Sequence, residues 1–124
     1  LGDVYKRQME SSKNYAVLVD QLANKIIAEW SAFLEVMRKE PADVLIESAY
    51  EISTKDNIQT YITEEELKLS DQQLKALLAL NDVLTMLYDE WNRREYLNSY
   101  TDVAELLQLT ADKLIEYDNE CAVC

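Results

Sequence analysis

The sequence predicts an all-α fold: a compact bundle of about four main helices plus one or two short ones, led by a long N-terminal helix. Three observations predict it. The first is the scarcity of turn formers, because the 124 residues include one glycine, Gly2, and one proline, Pro41. Strand-rich folds consume both residue types at their turns, so their near absence favours long helices with short connections. The second is apolar spacing at three and four residues, the period of a half-buried helix. The third is a set of polar residues placed where helices begin. With 48% hydrophobic residues, the chain has enough apolar side chains for one core at this length.

The first helix is expected from about Ser12 to Lys39. Tyr15, Leu18, Leu22, Ile26, Trp30, Phe33 and Met37 form one continuous stripe along a rod of roughly 40 Å. Pro41 stops this helix and suits the first turn of the next. In "PADVLIESAYEIS", Ala42, Leu45, Ile46, Ala49 and Ile52 share the expected core side, while Glu40, Asp43, Glu47 and Glu51 share the other. The apolar phase jumps after Ser53, since Ile58, Tyr61 and Ile62 fall where the acids had been. A break near "STKDN" is therefore expected, with Ser53 or Thr54 capping a new short helix. "TEEELKLS" reads as loop or a single turn.

Ser70 opens "SDQQLKALLAL" with a capping-box pattern closed by Gln73. In "NDVLTMLYDEWNRREYL", Leu84, Leu87, Trp91 and Tyr88 are assigned to the inner face. Thr101 is the expected cap of the last helix, whose inward stripe is Val103, Leu107, Thr110, Leu114 and Tyr117. The domain boundaries follow. Residues 1–8 are read as a non-native or disordered extension, 9–120 as a single helical domain, and 121–124 as a frayed tail.

Much chemistry is excluded by what is missing. There is no histidine, which removes Ser-His-Asp and Cys-His nucleophilic systems, His-bearing catalytic zinc sites and the Glu-x-x-His pairs of di-iron bundles. One glycine cannot build a phosphate-cradling loop, a dinucleotide fingerprint or an EF-hand. Paired carboxylates remain available for acid–base work, but 24 acids make some close pair inevitable, so that signal lacks specificity. No enzymatic activity, cofactor or metal is expected. Cys121 and Cys124 have Cys-x-x-Cys spacing at the end of a helical chain. A zinc site would need a second chain's ligands and a redox motif a strand–helix setting, so a frayed tail is the expectation. No apolar run approaches the ~20 residues of a membrane span and no leader is visible, so a cytoplasmic location is expected.

The net charge of −12 argues against direct binding to nucleic acid, whose phosphates require Lys and Arg, and favours partners with basic surfaces. Between Glu40 and Glu66 the chain carries eight acids and one base, Lys55. On a single helix, Glu40, Asp43, Glu47 and Glu51 would stand about 5–6 Å apart, comparable with successive phosphates of a nucleic-acid strand. These four, with Glu64, Glu65 and Glu66, are the candidate partner-binding residues. They would occupy the basic groove of a protein such as a nuclease. A solvated acidic face that only confers solubility is the simpler account of the same residues. The other functional class is a helical assembly component or homodimer with an apolar surface that uses some of the eight tyrosines.

The segments "AYEISTKDNIQTYI", "LSDQQLKALL" and "LYDEWNRRE", spanning roughly Ala49–Glu95, resemble a domain-of-unknown-function family of small acidic helical proteins from mobile elements and phages of gut bacteria. The resemblance implies an antagonist of host defence, anti-CRISPR-like in the sense of inhibiting a nuclease, and brings no site residues with it. The first eight residues, "LGDVYKRQ", are similar to translated adapter sequence at the edge of metagenomic fragments. "MESSKNY" after them reads as a start, making Met9 the expected first residue of the domain.

Overall fold

The structure, a computed structural model, describes the backbone of residues 2–123 and the side chains of residues 14–119. The expected extension 1–8 and tail 121–124, including Cys121 and Cys124, lie outside the described side chains. Among the described residues six α-helices follow one another: α1 (Gly2–Arg38), α2 (Ala42–Glu47), α3 (Ala49–Glu64), α4 (Asp71–Leu78), α5 (Val83–Arg93) and α6 (Val103–Val123). A 3₁₀ turn, Tyr100–Asp102, leads into α6, and there is no strand among the described residues. The helix α1 packs on α3, α4 and α5, and α6 closes the bundle against α3, α4 and α5.

The α1 stripe faces inward as its spacing requires. Leu22 and Ile26 are fully buried at its centre, while Tyr15, Leu18 and Trp30 pack against the core edge. Ile58 and Ile62 enter from α3, Leu74 and Leu77 from α4, Leu84 and Leu87 from α5, and Val103, Leu106 and Leu107 from α6. Each fully buried side chain of this size contributes about 1.5–3 kcal/mol relative to exposure. The acidic connection after α3 is irregular as expected, but it sends Leu67 and Leu69 into the core.

Helix starts are set by short side chains and by neighbouring helices. Ser70 Oγ accepts from the Gln73 N–H at 3.1 Å and Gln73 Oε1 accepts from the Ser70 N–H at 2.8 Å, completing the capping box. The Gln73 amide also donates to Asp112 on α6 at 2.9 Å. Asp82 caps α5 through the Thr85 N–H at 3.0 Å. Glu29 of α1 accepts the next orphan donor, the Leu84 N–H, at 2.8 Å.

Several expectations are corrected. The chain breaks at Ser48, and α3 runs unbroken through Ser53–Asn57. Neither Ser53 nor Thr54 caps a helix. The apparent phase jump arises because the inward face of α3 carries Thr54 and Lys55 at its first buried turn, both nearly inaccessible. The last helix grows out of the 3₁₀ turn, which has Ser99 at its N-cap. Asp102, three residues on, reaches back to accept the Asn98 and Ser99 N–H groups at 2.9 and 3.0 Å, and Thr101 lies inside the turn and caps nothing. These two bonds to the carboxylate hold Asp102 below the ordinary aspartate pKa. Tyr117 points outward, and Ala111 takes an inner position that its small size had hidden.

Candidate acidic interface

Helix α2 is too short to bury much: none of its six residues is fully buried, and Val44 and Leu45 are half-buried. Pro41 fixes its entry, with the Leu45 N–H bonded to the Pro41 carbonyl at 3.1 Å. At its end the Ser48 N–H still reaches the Val44 carbonyl at 2.9 Å, so the junction with α3 is a kink and not a loop. Of the face expected to pack on the core, only Leu45 and Ile52 are half-buried, and the rest is left outside. Ala42 and Ala49 are exposed, and Ile46 is 76% exposed.

The acids of this region therefore do not form one stripe on one helix. Asp43 and Glu47 are exposed on α2, one turn apart, and Glu40 is half-buried at the turn leaving α1. Glu51 belongs to α3 and turns inward, its Oε2 lying 2.7 Å from Lys55 Nζ. Lys55 is itself only 4% exposed, and its ammonium sits 4.0 Å from the Phe33 ring centroid and 5.6 Å from that of Tyr88. A carboxylate and two π faces replace the water a lysine normally keeps. The one base of the acidic stretch is thus sequestered, and it takes one acid with it. A cavity of about 290 Å³ beside it is lined by Phe33, Lys55, Glu29, Asp82 and neighbours.

Glu64, Glu65 and Glu66 lie at the far end of α3 and are all exposed. Thirteen residues of helix, about 20 Å, separate Glu51 from Glu64, so the candidate residues fall into two groups that the fold does not bring together. Three carboxylates at a helix C-terminus oppose the macrodipole, a cost the fold accepts there. Glu65 accepts from the Tyr100 hydroxyl at 3.2 Å, and the Tyr100 ring meets Tyr61 edge-on with centroids 5.4 Å apart. Desolvation, then the hydrogen bond and charge of Glu65 with Glu64 nearby, push the Tyr100 hydroxyl above the usual tyrosine pKa.

A second charged centre, absent from the sequence-based candidates, is built around Glu90 on α5. This carboxylate is almost inaccessible and meets Lys113 Nζ of α6 at 2.7 Å, Arg93 Nη1 at 3.1 Å and Arg94 Nη2 at 3.4 Å. Burial pushes its pKa up, but the Lys113 hydrogen bond and the three cations outweigh that and hold the group below the ordinary glutamate value. Its signal in the sequence was the Glu-x-x-Arg-Arg spacing, which places both arginines one turn from the glutamate. Lys113 is a tertiary partner that no local spacing reveals.

The electrostatic outcome is one-sided. Among the described residues, ion pairs engage Lys25, Arg38, Lys55, Arg93, Arg94 and Lys113 but, of the acids, only Glu29, Glu35, Glu51 and Glu90. Asp43, Glu47, Glu64, Glu65 and Glu66 enter no ion pair among the described residues. Within the same set, no three carboxylate or thiol groups converge to hold a metal ion, and no helix is long and apolar enough to cross a membrane. No family model, curated protein or solved structure matches the chain.

Proposed function

We propose that this protein is a non-enzymatic, protein-binding inhibitor or regulator that acts in the cytoplasm by presenting acidic helix surface to a basic partner, in the manner of an anti-defence protein occupying the nucleic-acid groove of a nuclease. One observation carries the reading: six of the nine described cations are engaged in ion pairs, while Asp43, Glu47 and Glu64–Glu66 enter none. These five carboxylates therefore keep a negative field that no paired cation neutralises. A field of this sign accelerates encounter with a basic groove and repels nucleic acid. The two acidic groups, separated by most of α3, suit a groove that is engaged at two points.

A second reading, a helical assembly component that pairs through apolar and tyrosine surface, draws on the exposure of Ile46, Tyr50, Tyr96 and Tyr117. Salt separates the two. A partner captured from bacterial lysate at about 50 mM salt is expected to elute by a few hundred millimolar, where screening shortens to a few ångströms, and to be displaced by duplex DNA. Replacing Asp43, Glu47, Glu64, Glu65 and Glu66 with lysine is expected to abolish capture. Retention at high salt with no effect of DNA or of the charge reversal would overturn the acidic reading in favour of the apolar one.

A further inference from the structure

We propose that the α2 shoulder is the docking element itself, fitted to a protein surface that carries an apolar cleft between lysines or arginines, with Ile46 and Tyr50 as its anchors. The proposal rests on the acidic-surface reading and deepens it. Ile46 is 76% exposed, whereas isoleucine is among the residues most often fully buried. The fold gains almost nothing from it, since α2 has no buried residue. Tyr50 follows four residues later, across the Ser48 kink, and is 58% exposed.

Tyr50 is nevertheless held in place. Its hydroxyl accepts from Trp91 Nε1 at 3.1 Å, and its ring lies 6.3 Å from that of Tyr88. A fixed aromatic side chain loses little freedom on binding, which is what an anchor requires. Around this apolar centre stand Asp43, one turn before Ile46, and Glu47 beside it. Both are exposed; of the two cations that precede them, Arg38 is paired with Glu35 at 2.6 Å and Lys39 is exposed at the turn leaving α1. An apolar centre with a charged rim is the composition of an interface core, and its complement is an apolar cleft rimmed by cations. Pure imitation of a phosphate backbone would leave Ile46 without a role. Binding through this shoulder therefore has a part that salt does not remove.

The test uses the ¹⁵N-labelled full chain and two synthetic probes at low salt: an amphipathic leucine–lysine helical peptide, and an oligolysine of equal charge. The leucine–lysine peptide is expected to bind about tenfold more tightly and to shift the amides of residues 43–50 and the Trp91 indole. Ile46→Gln is expected to remove that tenfold advantage without changing oligolysine binding or the thermal midpoint. Asp43→Asn with Glu47→Gln is expected to weaken both probes. Shifts confined elsewhere, or an Ile46→Gln chain that binds the peptide as before, would overturn the docking surface while the acidic reading stands. Failure of both probes to bind would overturn the acidic reading as well. A dimer in sedimentation that Ile46→Gln dissolves would assign the face to a second copy of the chain and overturn the proposal.

Discussion

Lys113 of α6 holds Glu90 of α5 at 2.7 Å, and this bond ties two packed helices together across their interface. Glu90→Gln keeps the volume and removes the charge, leaving Arg93, Arg94 and Lys113 crowded together. Because Arg93 and Lys113 are more than half exposed, the expected loss is about 2 kcal/mol, below the full cost of breaking a buried pair. A fall of roughly 8 °C in the thermal midpoint would report it.

The same residue sets a pH dependence. Its folded pKa is lowered from 4.5, so its contribution is complete above that value and is lost as pH falls through the folded pKa. The stability difference between the parent chain and Glu90→Gln is therefore expected to be constant from pH 7 to about 5 and to shrink below 4.5. Denaturant midpoints at several pH values measure it. A difference that grew on acidification would contradict the assigned pairing.

Lys55 and Glu51 should respond with opposite signs. Lys55→Met puts an apolar chain beneath Phe33 and lets the partly exposed Glu51 turn to water, so stability is expected to hold or rise by about 1 kcal/mol. Glu51→Gln leaves a buried ammonium without its counter-charge and is expected to cost about 2 kcal/mol. Chemical denaturation of both variants checks the contrast.

Glu29 caps a helix to which it does not belong. Glu29→Ala is expected to cost about 1 kcal/mol and to speed exchange of the Leu84 amide selectively, with the Thr85 amide still protected by Asp82. Hydrogen-exchange NMR distinguishes the two donors.

Much of the fold was legible because its signals are local. The Ser70–Gln73 box, the α1 stripe and the Leu84–Leu87–Trp91 face depend on spacing within one helix, and the structure reproduces them. The misplaced break near Ser53 has a physical source. Apolar periodicity records what a side chain is, and it cannot see that Glu51 and two aromatic rings make Lys55 tolerable in the interior. Moving the break to Ser48 reassigns Glu51 from the acidic surface to an internal pair and leaves Ile46 outside. Tyr117 misled for the converse reason, since its ring fits the stripe while its position on α6 lies beyond the packed layer.

Helix α1 touches the irregular segments as well as the helices. The Tyr15 hydroxyl donates to the Leu67 carbonyl, Lys25 Nζ donates to the Asn81 carbonyl at 3.5 Å, and Glu29 accepts from Leu84. One rod thereby fastens the loop between α3 and α4, the turn between α4 and α5, and the start of α5. Those connections lose their partners when that rod detaches, which makes α1 and the loops a single cooperative unit, opening and closing together.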